Sequence, residues 1–164
     1  MADRAEIAAA QWRRERPDID PFPMEILGRL MEAAHRLDRE RLEPVFAAAG
    51  LRPGEFDVLA TLRRAGAPHE LTPTALYEAL MLSSGGMTAR LDRLERAGLV
   101  ARRPNPDDRR GVRVALTAEG FRLIDELIVR HVAAERASLA PLSPDEQRTL
   151  NALLRKLLAG AGGA

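Results

Sequence analysis

A short helix, a turn, a second helix and a β-hairpin follow one another within Leu71–Gly120, and few folds accept that order. Pro73–Leu80 reads as the first helix and leads through Met81–Ser84 into an amphipathic helix, Gly86–Ala97, of roughly three turns. Met87, Leu91 and Leu94, with Leu99 just beyond, keep the apolar register that packs a helix on a domain. Gly98 stops the helix, as a residue free to take positive φ does. Two β-prone runs, Leu99–Arg103 and Val112–Leu116, are joined by the turn segment NPDDRRG. Thr117 caps the next helix, with Gly120 at the third position where a capping box would place Glu. The order predicts a mainly α chain with a small β-wing, a winged helix-turn-helix.

The residue types on these elements suit double-stranded DNA. The second helix offers Ser84, Thr88, Arg90 and Arg93 on its polar face. Hydroxyls serve phosphates or base edges, and arginine suits the N7/O6 edge of guanine. Gly86 keeps the helix start slim for close approach, and the face from Gly86 and Met87 to Arg93 is expected to read the major groove. Arg109 and Arg110 at the wing are expected in the adjacent minor groove, with Asp108 buttressing the wing through a nearby arginine. Between Thr88 and Arg113 eight arginines stand against four acids, although the whole chain carries only +1. That is the footprint of one cationic face. The alternative for the helix alone is an ordinary charged surface.

These residues resemble the MarR family of bacterial transcription regulators, above all in LDRLERAGLV and the wing NPDDRRGVRVALTAEG. The strong match covers about 50 residues, and a weaker one runs over Pro21–Leu158. The resemblance implies a homodimer, helical except for the wing. It also implies a pseudo-palindromic operator that is released on binding a small molecule.

The remainder reads as helices able to form such a dimer. Pro23 to about Ala48 is one long helix with Met24, Leu27, Leu30, Met31 and Leu37 in register, kinked by Pro44 near its end. Gly54–Arg64 follows. Ala118–Leu139 carries Phe121, Ile124, Leu127, Ile128 and Val132 on one stripe. Ser143, Pro144 and Glu146 spell a capping box for a last helix with Leu150, Leu153, Leu154, Leu157 and Leu158. Those leucines exceed what one side of a monomer needs, so a partner chain is the natural outlet. The expected organisation is an added helix over 1–20, dimerisation helices over 21–50 and 118–160, a DNA-binding lobe over 51–117 and a tail over 161–164.

Several classes are excluded. Without cysteine there are no disulfides, thiolate metal sites or thiol sensors. His35, His69 and His131 lie far apart and form no ligand pair. No phosphate loop, nucleophile elbow or carboxylate pair suggests an enzyme, and no cofactor or metal is expected. No signal segment or apolar span is visible, which points to a cytoplasmic protein with no membrane partner.

Ala5–Arg16, an amphipathic helix ended by Pro17, carries the single tryptophan, Trp12. An added N-terminal helix with a Trp is similar to the urate-responsive branch of the family. That resemblance implies an effector site of Trp12, Asp57 on the helix before the helix-turn-helix, Arg90 on the recognition helix, and Arg102 at the start of the wing. An indole can pack on a planar purine, and two guanidinium groups can hold its anionic edge. Asp57 would repel the bound anion and turn its charge into motion. Each residue also has a plainer reading: Trp12 covering dimer surface, Asp57 complementing a helix dipole, Arg90 meeting DNA, Arg102 meeting a phosphate. The reading is a homodimeric, ligand-responsive repressor answering to urate or a related purine. The alternatives are a regulator answering to phenolic or other aromatic acids, and a constitutive DNA-binding module without an effector.

Overall fold

The computed structural model describes residues 2–80, 86–106 and 108–161, and for Arg109, Arg110 and Ala161 the backbone alone. The chain divides into two compact units, Met1–Pro44 and Val45–Ala164.

In the first unit, helix α1 (Arg4–Glu15) is capped by Asp3, whose Oδ1 accepts the Glu6 N–H at 2.9 Å. It buries Ala5 and Ala9 against α2 (Phe22–Leu37). The helices approach closely here: a Cβ on Gly28 would sit in ordinary contact, 3.6 Å from that of Ala5. Arg29 bridges the two helices to Asp3 at 2.6 Å and also pairs with Glu25 on its own helix. Exposed pairs of this kind contribute little, so the alanine contact is the main attachment. Trp12 lies on a groove of about 600 Å³ between the helices, with Met24, Met31 and His35.

The long helix expected from Pro23 to Ala48 is interrupted. A π-helical turn spans Asp38–Leu42, where the Glu43 N–H reaches back to the Asp38 carbonyl, and α3 (Glu43–Ala47) follows. Proline at 44 offers no N–H, and its ring would clash with the carbonyl four residues earlier. The widened turn absorbs that conflict, so the distortion precedes the proline.

The second unit contains α4 (Glu55–Arg64), β1 (Glu70–Leu71), α5 (Pro73–Ala79), α6 (Met87–Arg96), β2 (Val100–Asn105), β3 (Asp108–Leu116), α7 (Ala118–Leu139) and α8 (Pro144–Ala161). The three strands form an antiparallel sheet ordered β1-β3-β2. Strand β1 went unread in the sequence because two residues carry no period; it exists through its pairing of Glu70 with Ala115 and Leu71 with Val114. The hairpin also differs from expectation. Pairing continues to Asn105 and Asp108, inside the segment 105–111 expected as a turn, with an irregularity at Pro104/Asn105.

The core of this unit gathers Val58, Leu59 and Leu62 of α4, Leu76 of α5, Leu91 and Leu94 of α6, Val114 of β3, and Ile124 and Leu127 of α7. Phe46 and Phe56 stack at 4.2 Å beneath His131. Arg63 ties α4 to α7 by pairing with Asp125 at 2.6 Å and lying over the Phe121 ring. The capping box at α8 forms in both directions, Ser143 N–H to Glu146 Oε2 and Glu146 N–H to Ser143 Oγ. Large apolar side chains nevertheless stay exposed on α2 (Phe22, Met24, Ile26, Leu27, Met31), α7 (Val129, Val132) and α8 (Leu153, Leu157, Leu158).

Candidate nucleic-acid interface

Helix α5 is started by Thr72, whose Oγ1 accepts the Ala75 N–H at 3.1 Å, with Pro73 at its first position. Helix α6 begins after Gly86 in left-handed backbone (φ +79°) and ends in a Schellman motif. There the Gly98 N–H bonds the Glu95 carbonyl and the Leu99 N–H the Leu94 carbonyl, both at 2.9 Å. Leu94 and Leu99 are both buried, which closes the end of the helix against the core.

At the N-terminal end of α6, Gly86, Thr88 and Ala89 are exposed and Met87 is half-buried; Arg96 is exposed at its other end. Ser84 lies outside the described residues, as do the side chains of Arg109 and Arg110. The Asp108 carboxylate lies beside Gly111, whose Cβ, if present, would be 3.1 Å from its Oδ2. The wing stem is held by Arg113, which donates to Asn105 Oδ1 at 2.9 Å and pairs with Glu70 of β1 at 3.2 Å.

Two further arginines are committed within the protein. Arg93 donates through Nε to Oε1 of Glu55 at 2.6 Å, and the Glu55 side chain is only 5% exposed. Arg90 sets its guanidinium on Gly54, so close that a Cβ there would meet the Arg90 Cζ at 2.6 Å. The same first turn of α4 carries Asp57, half-buried.

Arg102 leaves β2 and pairs with Asp92 at 2.6 Å and with Glu95, whose carboxylate also accepts the Arg102 backbone N–H at 3.0 Å. That N–H and the guanidinium hold the Glu95 carboxyl below its ordinary pKa, and the Asp92 and Glu95 bonds raise that of Arg102. At 100° per residue, Asp92 and Glu95 lie across α6 from Arg90 and Arg93. Arg90 and Asp57 therefore share one side of the recognition helix, and Arg102 holds the other. Trp12 belongs to the first unit, where it is 44% exposed.

Glu55, Asp92 and Glu95 were not singled out from the sequence. An acid at a helix start reads as a partner of the dipole, and acids on a charged helix read as solvated. Nothing local marks them as arginine acceptors.

The sequence model of the MarR family matches residues 49–111. The HTH-type transcriptional regulator PecS of Dickeya dadantii (strain 3937) is 46% identical over 147 residues, which span 90% of this chain and 88% of that protein. A solved mutant MarR from E. coli complexed with operator DNA covers 90% of this chain and 97% of its own, at 33% identity and a TM-score of 0.69. BpsR of Bordetella bronchiseptica, solved in work on regulation of its DNA binding by 6-hydroxynicotinic acid, covers 83% and 94% at 25% identity and a TM-score of 0.72. This chain belongs to the MarR family and is a DNA-binding transcriptional regulator.

Proposed function

We propose that the protein is a homodimeric repressor of a palindromic operator, released from DNA by urate or a related purine anion. The observation that carries the effector reading is the seat of Arg90. This recognition-helix arginine rests on the turn of α4 that also carries Asp57. An anion that recruits Arg90 acts on the DNA-reading helix without an intermediary, while Asp57 opposes it by charge and biases the helix. Arg102 lies on the opposite flank of α6 and would reach the same ligand only by giving up Asp92 and Glu95, which would loosen the wing from the helix. Trp12, open on its groove, is available to a planar ring.

Ser84, Gly86, Met87 and Thr88 face the major groove, and Arg109 and Arg110 the minor groove beside it. Dimerisation through the N- and C-terminal helices sets half-site centres about 10 base pairs apart. A second reading, an aromatic acid as effector, is favoured by the likeness to BpsR.

The test is competition. The wild-type dimer on an operator duplex is titrated with urate, xanthine and salicylate, with Trp12 fluorescence followed in parallel. Release and quenching by urate support the first reading, and by salicylate alone the second. Asp57→Ala should bind urate yet release DNA less readily, whereas Arg102→Ala should bind it less tightly. An operator complex unmoved by millimolar urate, with no heat of binding by calorimetry, sinks the purine reading.

A further inference from the structure

Gly54 and Glu55 together receive two arginines from the recognition helix. Arg90 and Arg93, three residues apart, fall on one face of α6, and both dock on the first turn of α4. Glu55 is nearly buried, and both of its oxygens are used: Oε1 by Arg93 Nε at 2.6 Å, Oε2 by the Arg52 N–H at 2.7 Å. A buried carboxylate is costly unless paired, so an Arg93 that left for a phosphate would strand it against a single amide. Gly54 has φ +77° and no Cβ, and the Arg90 guanidinium fills the notch that this leaves. Across the helix, Arg102 grips Asp92 and Glu95. The helix is therefore held from both flanks along its last two turns, and its exposed N-terminal end projects from that clamp.

We propose that Gly54 and Glu55 form the seat that fixes how the recognition helix is presented to DNA, with Arg93 a positioning residue that acts through Glu55. Affinity for the operator then depends on a carboxylate that itself faces away from solvent and makes no base contact. The effector does not enter this argument, which rests only on DNA binding by the second unit.

The experiment uses the full-length protein and a duplex selected by it from random-sequence DNA, with affinity measured across a series of KCl concentrations. Arg93→Ala and Glu55→Ala should each weaken binding about tenfold, and the double variant no further. The dependence on salt should keep its wild-type slope in all three, because no phosphate contact is lost. Glu55→Gln keeps one acceptor oxygen and turns an NH2 toward the other donor, so it should lose a large part of what Glu55→Ala loses, again with the wild-type salt slope. Thermal unfolding identifies any variant that fails to fold; if Glu55→Ala does, the cycle is closed with Glu55→Asp, which draws the carboxylate back from Arg93. The proposal is overturned if Arg93→Ala lowers the salt slope by about one unit while the Glu55 variants bind as wild type. Losses that simply add in the double variant overturn it as well.

Discussion

Gly120 shows how a single residue acquires its meaning from contacts remote in sequence. At the third position of α7 it looks like a defective capping box, since glycine can return no bond to Thr117. In the fold, a Cβ at 120 would lie 1.9 Å from the Leu99 carbonyl oxygen. That carbonyl accepts the Thr117 N–H at 3.1 Å, and the Thr117 hydroxyl donates to the Gly98 carbonyl at 2.6 Å while accepting the Gly120 N–H at 3.0 Å. Thr117 thus caps α7 and locks it to the end of α6, and only glycine fits beneath. Gly120→Ala is expected to cost about 2 kcal/mol or more through overpacking against backbone. That amounts to about 4–8 °C in Tm for a chain of this size, measurable by calorimetry. A Tm within about a degree of wild type would show that α7 can shift without penalty.

At the scale of elements, the wing and the recognition helix are linked through Arg102. Its partner Glu95 accepts both the backbone N–H and the guanidinium, which lowers the folded-state pKa. The linkage has a definite sign: a depressed carboxylate contributes stability above its unfolded pKa and loses it as pH falls through the folded one. The latch is therefore whole at neutral pH and released only in acid, below the ordinary glutamate value of 4.5. Glu95→Gln should reproduce the acid effect at neutral pH, since an amide oxygen holds a guanidinium less well than a carboxylate. Faster hydrogen exchange at the Arg102 amide, with amides of the α4 interior unchanged, is the expected signature. Unchanged exchange would mean that Asp92 alone secures the wing. The existence and order of α5, α6 and the hairpin were legible in the sequence, because capping residues, apolar spacing and Gly98 all act locally. Strand β1 and the reach of the β2–β3 pairing to Asn105 and Asp108 were not, because both follow from pairing with β3.

The molecule as a whole carries more apolar surface than its cores absorb. Met31 of α2 is 71% exposed and Leu158 of α8 is 73% exposed, with comparable neighbours on each helix. Faces of this size mark interaction surfaces. If they pair two chains, replacing Leu153 and Leu157 by Glu should give a monomer by sedimentation that no longer protects a full palindrome in footprinting. A monomeric wild type, or a variant that remains dimeric, would move the interface elsewhere.

What the sequence determined by itself is the set of elements and the chemistry available on them: a helix-turn-helix, a basic hairpin, long amphipathic helices, and a family likeness resting on the wing. These follow from short-range causes, namely periodicity, caps and backbone permissiveness, each confined to a few residues. Tertiary structure alone decided how that chemistry is used. Arg90, Arg93 and Arg102 are equivalent charges in the sequence, yet one fills a glycine notch, one serves a buried carboxylate, and one ties the wing to the opposite flank of α6. A guanidinium on a flexible stem takes whichever acceptor the fold brings within reach, and that choice is made by packing between segments dozens of residues apart.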